Sequence, residues 1–545
     1  MVGRGRAIPG LFGHATIVVV GLAVGWPGIV GAQQLTPIPH PIGAPDPAVA
    51  AVTAARSRSA PATSGWTPLT NQPTLFNGAS NPILLTDGTV LVQDSGFPDW
   101  WRLTPDQTGS YVNGSWSEIA PLPVGYSPLY HSSAVLPDGR LIIEGGEYLL
   151  SDDHTAFVPT WSAEGAIYDP IGDVWTAVAP PPFFNGGSPT PTIGDAQSVV
   201  LANGTYMQAN CCTREQALLD ARTLTWTPTG QGKLTVNDEE GWTLLPNGKV
   251  LTVDAYVFGY DFSGMASETY DPRTGAWTSA GSTKVQLWDS AATCGGASIA
   301  SYEVGPAVLL PGGTVFYAGS DRCEAGHTAI YDARTGRWKA GPDFPDAVSI
   351  ADGPAALEPN GKVVMMASPY FAPPSEFLEW DGKQLTQIPG PPHSPFDPSF
   401  FGNMLVLPTG QILLTDFSND IEIFTPTSSG DRQDADAPVV VNAPTRLGRG
   451  RSYLLTGRGL NGVSQGAAYG DDVQAATNYP LVRITNQRTG HVFYGRTHDH
   501  SSMAVASNEL VHTRFDVPSY QERGRSTLEV VANGVASCPL AVVVE

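Results

Sequence analysis

Short apolar runs broken by two-residue turns dominate the chain, and one such phrase returns seven times. The copies are Leu84-Leu-Thr-Asp-Gly88, Val135-Leu-Pro-Asp-Gly139, Val200-Leu-Ala-Asn-Gly204, Leu244-Leu-Pro-Asn-Gly248, Leu309-Leu-Pro-Gly-Gly313, Leu357-Glu-Pro-Asn-Gly361 and Val406-Leu-Pro-Thr-Gly410. Most are followed by a second apolar run, such as Lys249-Val-Leu-Thr-Val253 or Gln411-Ile-Leu-Leu-Thr415. Asp-Gly and Asn-Gly supply the positive φ of a tight hairpin, so the phrase predicts the two inner strands of one β unit.

A second phrase follows at a distance: Tyr168-Asp-Pro with Trp175, Tyr270-Asp-Pro with Trp277, and Tyr331-Asp-Ala with Trp338. Weaker versions carry Trp116, Trp226 and Trp380. These predict an outer hairpin whose large aromatic packs against the next unit. The turn glycines stand 51, 65, 44, 65, 48 and 49 residues apart. Four strands in each such unit indicate a β-propeller, here with two units lengthened by inserts. The seventh unit, ending in Ile421-Glu-Ile-Phe-Thr-Pro426, lacks its tryptophan strand, and Gly65-Trp66-Thr-Pro-Leu69 reads as the missing piece. The expected fold class is therefore all-β: a seven-bladed kelch-type propeller over residues 65–435, closed by its own N-terminal strand, which removes a free sheet edge. After Asp436 the phrase stops. Short strands such as Val439-Val-Val-Asn442, Leu481-Val-Arg-Ile484 and Leu528-Glu-Val-Val531 predict an immunoglobulin-like sandwich over 436–545.

Composition agrees with a β-rich secreted chain. Of 545 residues only 15% are charged, while Gly (60) and Pro (48) are abundant, which argues against helical bundles. Arg4 and Arg6 precede the apolar stretch Ile17 to Val24, and Val30-Gly31-Ala32 stands before Gln33, so residues 1–32 read as a signal peptide. Its removal leaves no membrane span and implies a secreted, periplasmic or extracellular monomer. Residues 33–64 are Pro/Ala-rich and read as a linker. The net charge of −22, which becomes −24 without the signal, repels nucleic acid and anionic membranes. Five cysteines cannot all pair within one chain. Cys294 precedes the inner hairpin of the fifth unit and Cys323 follows its second strand, so these two are the expected disulfide. Cys211 and Cys212 could pair with each other, stay free or bind a soft metal.

The propeller-plus-sandwich order, with Tyr130-His-Ser-Ser-Ala-Val-Leu-Pro-Asp-Gly-Arg140, Gly145-Gly146 and Arg496-Thr-His498, resembles the galactose oxidase and glyoxal oxidase family of copper-radical oxidases. The resemblance implies copper, a crosslinked tyrosine at Tyr130, and a histidine at His498 carried up the propeller channel on a finger of the last domain. It also implies a stacking aromatic near Tyr148. The crosslinking cysteine falls near Ala79, where Asn77-Gly-Ala-Ser-Asn81 stands. The second tyrosine and histidine fall where Phe400-Phe401-Gly402 stands, and phenylalanine offers copper no donor.

Where inner strands begin, the chain reads Gly194-Asp195, Asn237-Asp-Glu-Glu240, Tyr302-Glu303 and Ala351-Asp352. Propeller geometry rings these around one end of the axis. Asp195, Glu240, Glu303 and Asp352 then bind a divalent cation, calcium or another hard ion, or else cap backbone amides of neighbouring strands. His498 and His500 alternate on one side of an extended segment and could share that metal. On the rim, Trp100, Trp101, Tyr148 and Trp161 could stack on a carbohydrate or other small molecule, or pack the loops. Three functions remain open: a module binding metal or a small ligand at an acidic hub, a peroxide-producing alcohol or aldehyde oxidase with altered ligands, or a lyase using Tyr130 with His131 or His498 as acid and base.

Overall fold

In the computed structural model the described residues are 65–545, apart from 152–153, 186–190, 212, 256–263, 289–302, 321–325, 370, 427–435, 470–472 and 474–475. The expected signal peptide and linker, Cys212, and the Cys294–Cys323 pair therefore lie outside the described residues. Among those described, no helix is long and apolar enough to cross a membrane.

Among the described residues seven antiparallel sheets form the first unit, six of four strands and one, blade 6, of four plus a strand added from the C-terminal unit. Blade 1 runs Ala79–Leu84, Val90–Asp94, Trp100–Thr104 and Ser115–Glu118, and blade 2 begins at Ser132–Val135. The inner strands of blades 3 to 7 are Ser198–Val200, Thr243–Leu244, Val304–Leu309, Ala355–Leu357 and Asn403–Val406. Inner strands touch in the order 1, 7, 6, 5, 4, 3, 2, which traces a ring. All seven turn glycines of the repeated phrase have positive φ, between 78° and 89°. A side chain with Cβ is strained there, which is why the turn is legible in the chain.

The outer tryptophans lock blade to blade, and they reach back rather than forward. Trp175 Nε1 donates to Ala120 O at 2.9 Å, Trp226 to Ala179 O at 2.8 Å, and Trp338 to Ser267 Oγ at 2.9 Å. Each acceptor belongs to the preceding blade or to the link leaving it, so the expectation of packing against the next unit is corrected. Trp116 of blade 1 completes the circle by donating to Asn71 O, just past the closing strand, at 3.0 Å. That strand, Trp66–Pro68, pairs with Glu422–Phe424. Trp66 fills the seventh tryptophan position: its Nε1 donates to Pro389 O at 2.9 Å and its ring lies 5.0 Å from Phe377.

The C-terminal unit is a β-sandwich around Leu455, Val482, Ile484, Phe515, Leu528 and Val530. Strand Val492–His498 belongs to both of its sheets, pairing with Leu481–Asn486 through its first half and with Val511–Asp516 through its last three residues. Residues 461–469, from the link between two sandwich strands, enter the propeller instead. Ala467–Ala468 adds a fifth strand inside blade 6, opposite Ala356 and Ala355. Gln465 N donates to Leu309 O at 2.9 Å, and Tyr469 Oη to Phe400 O at 2.8 Å.

Candidate functional site at the propeller hub

Inner strands begin at one end of the axis and turn at the other, so residues just before each inner strand define the hub. Three carboxylates meet there. Ligand oxygens of Glu239, Glu303 and Asp352, from the approaches to blades 4, 5 and 6, all lie within 4.8 Å of one another. Glu239 and Asp352 hold left-handed φ of 54° and 50°, which turns the chain as it enters the strand. Asp352 O accepts from Ser399 Oγ at 3.1 Å, joining the acidic side to the segment that carries Phe400 and Phe401.

The other side of the hub is aromatic. Tyr130, with φ 52°, lies 6.2 Å by ring centroid from both Tyr148 and Phe417. Phe417 is 5.0 Å from Phe401, and Phe401 is 4.8 Å from Phe400. Below this wall a cavity of about 20 Å³, lined by Asn81, Tyr130, Phe400, Tyr469 and Val473 among others, has room for about one water. Tyr469 and Val473, from the link between two strands of the C-terminal unit, close it.

Several expected site residues lie elsewhere. Glu240 is 0% exposed and faces between blades, where Lys233 Nζ donates to its Oε2 at 3.2 Å and Gln197 Nε2 to its Oε1 at 3.0 Å. Its neighbour Glu239 takes the hub position. Asp195 stays at the hub, beside Tyr148, where its charge acts on that phenol, but it is not one of the three grouped carboxylates. His498 and His500 do not enter the channel. Their strand ends against the hairpin turns at the opposite end: Thr497 N donates to Thr86 O at 3.1 Å and His500 N to Pro137 O at 3.0 Å. His498 Nε2 is 3.1 Å from Asp516 Oδ1, and its Nδ1 is 3.1 Å from Asp499 Oδ2. His500 Nδ1 is 2.8 Å from Thr513 Oγ1, and burial pushes its imidazole down to about 3. The cross-strand pairing of Val492–His498 holds both histidines in the sandwich, so neither reaches a hub metal.

His131 lines the same small cavity as Tyr130. It is buried, with Nε2 3.0 Å from Gln93 Oε1 and its ring 6.2 Å from Trp100, and burial pushes it down to about 4. His498, at the far end of the propeller, cannot pair with Tyr130 as acid and base. Trp100 is 0% exposed and packs 5.7 Å from Trp175, so it is core and cannot stack on a ligand. Trp101 is half-buried beside it. Trp161, φ 41°, packs over Gly194 next to Cys211. Tyr148 alone of the four rim aromatics joins the hub wall. Two contributors went unread in the sequence: Phe417, and Tyr469 on the Gly466-Ala-Ala-Tyr469 finger, whose small residues are its one sequence mark.

Comparison with known proteins fits this architecture. A fungal alcohol oxidase of the AA5 family, solved in complex with copper, aligns over 88% of this chain and 99% of its own at a TM-score of 0.50 and 14% identity. The fold is that of the galactose-oxidase-like kelch proteins. The kelch-like protein terF of Aspergillus terreus is 30% identical over 103 residues, and that match spans 18% of this chain and 19% of terF. A structure titled YjhT aligns over 64% of this chain and 91% of its own at a TM-score of 0.32 and 12% identity. No protein-family model matches the chain.

The galactose-oxidase-like fold implies copper, and the residues present do not fit it. A copper-radical centre needs nitrogen, phenolate and thioether groups around one point. Where the resemblance expects the cysteine and the second tyrosine and histidine the chain has Ala79, Phe400 and Phe401, and His498 lies at the far end of the propeller. Among the described residues, Tyr130 is the one of these expected donors that stands at the hub.

Proposed function

We propose that this is a secreted galactose-oxidase-like kelch protein whose hub binds a hard divalent cation of the calcium type, and with it a small-molecule or carbohydrate ligand, without copper-radical chemistry. The observation that carries this reading is the approach of Glu239, Glu303 and Asp352 oxygens to within 4.8 Å of one another. An all-oxygen donor set suits calcium, magnesium or manganese, which take carboxylates and keep waters or ligand hydroxyls in their remaining positions. The Tyr148–Tyr130–Phe417 wall supplies the apolar face on which a sugar ring can lie while its hydroxyls reach the cation. Like-charged carboxylates held this close favour a cation between them.

The test is calcium uptake by chelator-treated mature protein, followed by calorimetry and melting. One equivalent bound by wild type and lost in Glu303→Gln supports the reading. No stoichiometric uptake of calcium, manganese or magnesium overturns it. After copper loading, a panel of alcohols and aldehydes is expected to yield no peroxide. Peroxide that disappears in Tyr130→Phe would return the oxidase reading.

A further inference from the structure

A second cluster of ligating side chains lies behind the aromatic wall. The link from blade 6 to blade 7 carries His393-Ser-Pro-Phe-Asp397, and the second strand of blade 7, Ile412–Thr415, ends one residue before Asp416. The chain thus brings one imidazole and two carboxylates together from separate segments. His393, Asp397 and Asp416 are 7%, 4% and 3% exposed, and one ligand atom from each lies within 4.8 Å of the others.

The local hydrogen bonds account for only part of this group. His393 Nδ1 lies 3.1 Å from Asp397 Oδ2 and 3.4 Å from Oδ1. Asp416 Oδ1 accepts from Ser418 Oγ at 2.6 Å and from Ser418 N at 3.3 Å. Its other oxygen, Oδ2, is buried and receives no donor. A buried acceptor left without a donor is destabilising, and more so when it is charged. One imidazole, even protonated, balances only one of two carboxylates. A divalent ion would satisfy Asp416 Oδ2 and offset the second carboxylate. The 3.1 Å separation of Nδ1 and Oδ2 is close to the about 3.3 Å between two ligands on a tetrahedral zinc with bonds near 2.0 Å.

We propose that His393, Asp397 and Asp416 form a binding site for a borderline divalent cation of the zinc class, which fastens the blade 6–7 link to the second strand of blade 7. The mixed nitrogen and oxygen set distinguishes it from the all-oxygen hub. Its position gives it a consequence for the hub. Phe400 and Phe401 follow three and four residues after Asp397, and Phe417 follows Asp416 directly. A metal holding both segments fixes the spacing of Phe401 and Phe417, which stand 5.0 Å apart in the wall beside Tyr130.

The experiment titrates zinc into chelator-treated full-length mature protein with calcium in excess, so that the hub is occupied or indifferent. Expected are one equivalent of zinc, a melting rise of roughly 3 °C at a hundredfold excess over Kd, and visible d–d absorption on cobalt substitution. Asp416→Asn and His393→Gln should lose the zinc and the cobalt spectrum, while Glu303→Gln keeps both. That last variant separates failure of this site from failure of the hub reading. If Asp416→Asn does not fold, Asp397→Asn replaces it. No zinc uptake, or uptake unchanged in folded variants, overturns the proposal. So does a shared proton in place of metal, seen as melting that ignores zinc and rises as pH falls.

Discussion

Lys233→Met should be among the most destabilising single substitutions in the propeller. Lys233 Nζ is fully buried and lies 2.7 Å from Asp254, 3.1 Å from Glu240 and 3.1 Å from Glu268. It also sits 5.4 Å over the Trp277 ring. Methionine fills a similar volume, so the loss is electrostatic: three buried carboxylates lose their common cation. Removing one member of a buried ion pair costs about 3–5 kcal/mol. For a unit of about 360 residues the unfolding entropy is about 0.75 kcal/mol/K, so melting should fall by roughly 5 °C. The pH dependence tests the cause. Burial holds Glu240 up at about 8 and Asp254 up at about 7, so the folded state keeps protons that the unfolded state releases. Stability from this group is therefore lost as pH rises from about 4.5 to 8. Without Lys233 the carboxylates depend wholly on protonation, so the penalty should be smaller at pH 5 and larger at pH 8. Denaturant unfolding of both proteins at the two pH values measures it. A penalty below about 1 kcal/mol, or one unchanged with pH, would refute the reasoning.

Trp66→Ala should cost about 3–5 kcal/mol, because Trp66 is 6% exposed and packs against Phe377 and Phe424 at the ring closure; urea unfolding checks it. His131 is held down to about 4 by burial, so it contributes stability at neutral pH that is lost as pH falls from about 6.5 through 4. His131→Asn should flatten the acid side of a melting-temperature-versus-pH curve. Trp100→Ala should unfold the protein at lower denaturant without changing the affinity of any ligand found for the folded hub, since its side chain is core. Gly139→Ala should destabilise by about 1 kcal/mol or more, because φ is 83° and the added Cβ would stand 2.9 Å from Thr497 O at the domain junction.

What could be read from the chain was local, and what could not depended on where strands lie in space. The Asp-Gly turns and the tryptophan strands were legible because each is set by a few neighbouring residues, and Trp66 was legible as the piece missing from blade 7. Which way the tryptophans lean was not, because residue spacing carries no sense of the sheet's stagger. The finger was expected at Thr497–His500 on the strength of one histidine. That segment cannot thread a channel, since Arg496, Thr497 and His498 pair with Asp516, Phe515 and Arg514 in the sandwich. Residues 461–469 do so instead, and the backbone at 467 and 468 pairs with the inner strand of blade 6. The hub carboxylates show the same limit at the scale of one residue. Glu239 and Glu240 are adjacent, and a left-handed φ of 54° at Glu239 directs the first inward and leaves the second beside Lys233. A lysine seven residues ahead of Glu240 was the available sign that this acid had a partner between the blades. The same reasoning explains why His393 and Asp397 passed unread: they meet on a link without period, and their third member, Asp416, arrives from a different strand.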